Sequence, residues 1–156
     1  MEQNLRGNLF TRSLEVDPLI CSGGLFLAKD TRRFLFLLRT QEKSKGQWGL
    51  VGGKKEPMDS TPYDIVSREI KEEVGNTTDI LKVIPLELFV SDDQKFQYNT
   101  YVLLVEKEFI PVLNFEHAGY AWVDWNAWPT PLHRGVRNSL QNKIIRAKLE
   151  LLLDLI

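Results

Sequence analysis

With 156 residues and a net charge of −1, from 20 basic and 21 acidic side chains, the chain fits one domain over residues 1–156. It lacks the strongly basic balance that broad attraction to nucleic acid requires, and no apolar run approaches the ~18 residues of a membrane span. The single cysteine, Cys21, excludes an intrachain disulfide; with no basic-then-apolar pattern over Met1–Phe10, the expectation is a reducing, cytoplasmic setting, in which the sequon-like Asn76-Thr77-Thr78 is accidental.

In chain order, Ile20–Leu27 is a short apolar run containing Gly23-Gly24, read as a strand with a bulge. Phe34–Leu38 follows the turn-like Asp30-Thr31 and reads as a buried strand; Gln41–Lys45 is polar and reads as a loop. The first helix spans Pro62–Val74: Ser60 or Thr61 can cap it, Pro62 suits its first turn, and Gly75 suits its end. Leu81–Val90 and Phe96–Val105 read as strands joined by a hairpin turn at Ser91–Gln94, and Tyr120–Val123 as a late, short strand. From Val136 to the C-terminus, Val136, Leu140, Ile144 and Leu151 recur at helical spacing. Strands on both sides of one helix, then a last helix, predict an α/β protein with a mixed sheet between helices.

Chemistry concentrates in Arg68-Glu69-Ile70-Lys71-Glu72-Glu73-Val74-Gly75. On a helix Glu69, Glu72 and Glu73 stand three and four residues apart, so the three carboxylates crowd one face, while Tyr63, Val66, Ile70 and Val74 line another that can bury. Like charges at this spacing repel by a few tenths of a kcal/mol per pair, and a divalent magnesium or manganese ion, which prefers hard oxygen ligands, would turn that repulsion into binding. Arg68, four residues before Glu72, can brace that carboxylate. A Glu-rich helix face is also what a solvated surface looks like. Upstream, however, Trp48-Gly49-Leu50-Val51-Gly52-Gly53 ends in paired glycines, which allow a backbone to approach a ligand closely.

Gly53 through Asn76 resembles the Nudix box, Gly-x5-Glu-x7-Arg-Glu-U-x-Glu-Glu-x-Gly-U, where U is apolar. Gly53 matches the first glycine, and Arg68, Glu69, Ile70, Glu72, Glu73 and Gly75 match the second half in register. There are three departures: Asp59 stands where the first Glu is usual, eight residues (60–67) separate it from Arg68 instead of seven, and Asn76 is polar at the last U. A shorter acid and one added residue can compensate each other at the helix start.

The resemblance implies the α/β/α sandwich of the Nudix (MutT-like) hydrolases, with Mg²⁺ or Mn²⁺ as cofactor and hydrolysis of a nucleoside diphosphate linked to another moiety. It implies Gly53, Glu69, Glu72 and Glu73 as metal ligands, and Glu72, Glu73 and Arg68 as catalytic residues. The stretch Glu116-His117-Ala118-Gly119-Tyr120-Ala121-Trp122-Val123 resembles the family's Glu-x-x-x-Tyr-x-Trp-Val. That makes Glu116 the expected catalytic helper beyond the box and His117 its rival as base, since histidine titrates near neutral pH. Asp92 and Asp93 are accounted for by a turn, and Glu106 and Glu108 by surface charge. Arg39, Lys54 and Lys55 are candidates to offset phosphate charge, or are simply solvated. Phe96, Tyr98 and Tyr101 are candidates to stack on a base, with cross-strand packing as the competing reading. Trp48 is expected in the core.

Substrate marks downstream are near-misses: Pro85 falls nine residues past Asn76 and Tyr98 twenty-two past it. ADP-ribose-like and dinucleotide substrates therefore rank slightly above damaged nucleoside triphosphates, and a nucleotide-binding regulatory domain that does not cut stays open beside them. The expected partner is a small-molecule nucleotide, without nucleic acid or membrane; a homodimer is left open.

Overall fold

The computed structural model describes residues 17–75 and 77–156. The readings made on Met1–Phe10 and on Asn76 lie outside the described residues.

The chain runs β1 (Leu19–Ala28), β2 (Phe34–Arg39), a single 3₁₀ turn (Glu42–Ser44), β3 (Trp48–Gly49), β4 (Val51–Lys54), α1 (Pro62–Glu73), β5 (Ile80–Val90), β6 (Phe96–Val105), β7 (His117–Val123), α2 (Arg134–Gln141) and α3 (Lys143–Leu155). The strands form one mixed sheet of seven, ordered β3-β2-β1-β6-β5, with β4 also pairing β1 and β7 also pairing β2. β1 lies parallel to β6 over ten residue pairs, while its other edge is shared, antiparallel, by β4 at Cys21–Gly24 and β2 at Leu27. β2 thus departs from β1 after one pair, and β3 takes up its free edge at Leu37 and Leu38.

Side chains that alternate along these strands fill two separate cores. Leu25, Leu27, Phe34, Phe36, Val102 and Leu104 face α2 and α3, packing with Leu140, Ile145, Leu149 and Leu153. Phe26, Ala28, Leu35, Leu37, Leu103 and Val105 face α1, packing with Val66, Ile70 and Val74. Apolar runs buried on both faces are what a sheet covered by helices on each side requires. The mixed sheet between helices, and the α/β/α sandwich, are therefore as expected.

Thr61, not Ser60, caps α1. Its hydroxyl accepts from the Asp64 amide at 3.2 Å, and the Asp64 carboxylate accepts from the amides of Thr61 and Ser60, each at 2.9 Å. Such a cap stabilises a helix by about 1 kcal/mol. The helix closes through the Val74 and Gly75 amides, both donating to the Ile70 carbonyl, and Gly75 takes a φ of +74° that suits glycine.

Local readings change at four places. Gln41–Lys45 is not an open loop: it holds the 3₁₀ turn, with Ser44 buried. Gly23 and Gly24 make no bulge but pair in regular register, because a Cβ on Gly23 would meet the Tyr98 hydroxyl and one on Gly24 the Leu103 side chain. The last helix is two. Asn142 ends α2 and caps α3, its side chain accepting from the amides of Ile144 and Ile145 at 2.9 and 3.2 Å. The break resets the helical phase, so Leu149 and Leu153 are buried, whereas Ile144 and Leu151 are 68% and 58% exposed. Finally, β7 begins at His117 rather than Tyr120.

Candidate active site

The box residues lie where β4, the loop after it and α1 meet. Arg68 organises them. Its guanidinium donates to Asp59 Oδ2 at 2.9 Å, to Glu69 Oε1 at 2.9 Å and to the Lys54 carbonyl at 3.0 Å. The expected brace to Glu72 is the weakest of these contacts, at 3.4 Å, with Glu72 half exposed. Asp59 is buried, also accepts from the Glu56 amide at 2.9 Å, and is held below the usual carboxylate range by Arg68. The shorter acid and its added residue thus turn the loop back onto the arginine.

The three glutamates do not share one surface. Glu69 and Glu73 are 8% and 1% exposed, while Glu72 faces solvent. A Cβ on Gly53 would run into the Glu69 carboxylate, so the glycine is what admits that acid beneath the strand. Glu73 Oε1 accepts from the Gly52 amide at 3.1 Å. Burial pushes Glu73 up to about 9, against only partial relief from that amide, with the neighbouring Glu69 adding to the rise; Glu69 is also raised by burial.

The chain beyond the box folds back onto the end of α1. The Val112 amide donates to the Val74 carbonyl at 2.9 Å, and Asn114 Nδ2 to the Glu72 carbonyl at 2.8 Å. Asn114 Oδ1 in turn accepts from the Glu116 amide at 2.9 Å, and the Glu116 carbonyl accepts from Thr40 at 3.0 Å. This sets ligand atoms of Glu73, Glu116 and His117 within 4.8 Å of one another. His117 is no exposed loop residue: it is buried, its Nδ1 stands 3.6 Å from Glu73 Oε2, and burial, then Arg39, lower it to about 4.

The basic candidates separate. Arg39 donates to Ser44 Oγ at 2.7 Å, and its side chain runs along Gly49, close enough to His117 to bear on its titration. Lys54 and Lys55 are exposed. Tyr98 lies across the sheet from α1, its hydroxyl against Gly23 and Gly52, and burial raises it. Phe96 packs with Phe89 and Tyr98, and Tyr101 with Tyr63. Trp48 is partly buried on the α3 side, and its amide donates to the Pro131 carbonyl. Glu108 is paired with Arg33 through two hydrogen bonds, and Asp93 accepts within its own turn. Two surface depressions, of about 510 and 430 Å³, lie elsewhere, around Trp125 and Trp122, and no box carboxylate lines either.

Asn114 was not legible from the sequence. Its only signal is the turn-forming residue type two places before Glu116.

Comparisons with known proteins agree with this geometry. Among solved structures, the NUDIX domain of Shewanella oneidensis NrtR, complexed with ADP ribose, superposes with a TM-score of 0.66 at 15% identity, covering 96% of this chain and 99% of that one. A MutT NUDIX hydrolase from Burkholderia pseudomallei gives 0.62 at 22% identity, covering 82% and 99%. A MutT/nudix family protein from Enterococcus faecalis gives 0.58 at 18% identity, covering 76% of this chain, which spans about half (49%) of that one. At these identities the likeness is one of fold. No curated protein sequence was found to match the chain. A family profile described as NUDIX domain matches residues 22–142. The chain belongs to the NUDIX domain family.

Proposed function

We propose that the chain is a single-domain, cytoplasmic, magnesium-dependent hydrolase that cleaves the diphosphate linkage of a nucleoside diphosphate derivative, ADP-ribose-like or a dinucleotide. The observation that carries this reading is the pair of buried acids, Glu69 and Glu73, beneath a strand whose glycines make room for them, with Glu72 beside them in solvent. Burying carboxylates costs a fold free energy, and an active site is where that cost is usefully borne.

The residues fit a divalent ion. Hard oxygen donors converge, and the space a Gly53 side chain would fill is taken by a carboxylate. Glu69, Glu72, Glu73 and the Gly53 carbonyl would hold the ion, Mg²⁺ or else Mn²⁺. When bound, it supplies charge neutralisation at phosphate oxygens and a water of lowered pKa.

The protein's own groups do the rest. Arg68 fixes the Glu69 carboxylate, and Asp59 fixes Arg68. Glu116 is the acid beyond the box that works with them, carried on a loop tied to the end of α1 through Asn114. Arg39, Lys54 and Lys55 offset charge on the substrate's phosphates. Tyr98 shapes the floor across the glycines, while Phe96 sits farther out, where a base could stack. ADP ribose in the Shewanella relative supports an adenosine diphosphate derivative.

The test is phosphate and nucleotide release from a panel of ADP-ribose, dinucleoside polyphosphates and oxidised nucleoside triphosphates, with and without Mg²⁺. Mg²⁺-dependent release of AMP from ADP-ribose or a dinucleotide is the expected result. Release of pyrophosphate from triphosphates alone would move the assignment to nucleotide sanitation. Binding without any release would move it to a nucleotide-binding regulator.

A further inference from the structure

His117 has no task in the oxygen-ligand scheme above, yet its setting is unusual. Its side chain is 4% exposed, and Nδ1 has no hydrogen-bond partner among the described residues. Native folds seldom leave a buried polar atom alone unless something else fills the place. The nearest charged atom, Glu73 Oε2 at 3.6 Å, is beyond hydrogen-bonding distance. Glu116 closes the triangle, with all three ligand atoms within 4.8 Å of one another.

That spacing suits a shared ion better than a direct contact. Two donors each ~2.1 Å from a metal, at tetrahedral to trigonal angles, lie roughly 3.4–3.6 Å apart. The backbone beneath Glu116 is tied on both sides, by Asn114 Oδ1 and by Thr40, and β7 pairs His117 with Arg39 of β2. The backbone that carries Glu116 and His117 is therefore held in place without an ion.

We infer that Glu73, Glu116 and Nδ1 of His117 form a mixed nitrogen–oxygen site for a first-row transition ion, beside the all-oxygen site of Glu69 and Glu72, with Glu73 common to both. The inference rests on the reading of Glu73 as a metal ligand and deepens it. Imidazole favours transition ions, whereas Mg²⁺ favours carboxylate, carbonyl and water. Glu116 then acts as a ligand to this ion rather than as a free base.

The test needs no substrate. Untagged, metal-stripped protein is loaded with one equivalent of Mn²⁺ and studied by pulsed electron paramagnetic resonance. The expected spectrum carries the ¹⁴N modulation of a bound imidazole, replaced by the ¹⁵N pattern when the unmutated chain is grown with ¹⁵N-histidine. The chain has only two histidines, so His133→Ala keeps the modulation and His117→Ala loses it. Mn²⁺ affinity falls ~10–100-fold in His117→Ala and in Glu116→Gln, well beyond any change in Mg²⁺ affinity. Mn²⁺ bound without nitrogen modulation in the unmutated chain, or modulation that survives His117→Ala, overturns the site. Equal losses of Mn²⁺ and Mg²⁺ affinity also overturn it. Nitrogen-ligated Mn²⁺ in a chain that hydrolyses nothing in the panel supports this site and overturns the hydrolytic reading. Mg²⁺-dependent hydrolysis with all-oxygen Mn²⁺ does the reverse.

Discussion

The two faces of the sheet are built from the same alternating strands but covered by different kinds of helix. On one face α3 buries only hydrocarbon: Ile145, Leu149 and Leu153. On the other α1 buries Ile65, Val66 and Ile70, and also two carboxyl groups, Glu69 and Glu73. What α3 buries there adds stability. The α1 face gives some up, since burial raises both acids and leaves Glu73 protonated up to about 9 in the metal-free protein. A fold selected for stability alone would put leucine there. The contrast assigns chemistry to one face and scaffolding to the other.

The sharpest way to break that assignment is Glu72→Gln. Glu72 is half exposed and its ion pair with Arg68 is long, so the melting temperature should hardly move. Turnover with Mg²⁺ should fall ~10²–10⁴-fold, the loss of a few kcal/mol of transition-state stabilisation. Unchanged kcat would remove α1 from the chemistry. The mirror experiment is Leu149→Ala on the opposite face. Unfolding titrations should show a loss of about 2–5 kcal/mol, with kcat per folded molecule unchanged. A large fall in kcat there would show that the faces are not separable.

Asp59→Ala tests the boundary between the two roles. Asp59 holds Arg68 and the loop before α1, so its removal should lower both rate and melting temperature. The rate loss, about tenfold, should be smaller than that of Glu72→Gln. A larger loss at Asp59 would rank it among the ligands.

The subtlest difference is in pH. Glu73 is raised from 4.5 to about 9, so its contribution to metal-free stability is fully present below 4.5 and is lost as pH rises towards 9. His117 is lowered from 6.5 to about 4, so its contribution is present above 6.5 and lost as pH falls towards 4. Metal-free melting curves from pH 6.5 to 9 should therefore decline in the wild type and decline less in Glu73→Gln. Parallel curves would show that Glu73 does not titrate in this window.

The box was legible residue by residue because metal chemistry demands fixed acids at helical spacing, and few helices carry that pattern by chance. The burial of its members was not. Which of Glu69, Glu72 and Glu73 turns inward depends on how α1 is rotated on the sheet, and Gly53 reveals that only once the strand lies beneath it. The regular strands were found to within three residues, since unbroken apolar runs such as Phe34–Leu38 suit little else. The C-terminal stripe failed at Asn142, whose capping bonds interrupt a pattern that hydropathy alone reads straight through. His117 falls outside the strand expected at Tyr120–Val123 because the apolar signal of β7 starts only at Tyr120, while its pairing with Arg39 of β2 is a long-range fact.

The parallel pairing of β1 with β6 bears on how the molecule assembles. Leu19 meets Phe96, and Ala28 meets Val105, so the central pair of the sheet joins segments about 77 residues apart. The chain loses entropy in closing that loop before the central strands gain any contact, and such non-local topologies fold slowly. During synthesis β1 is made early and then waits, its apolar side chains uncovered, while β2, β4, α1 and β5 are completed. The antiparallel partners β2 and β4, much nearer in the chain, are the ones able to shield it in that interval.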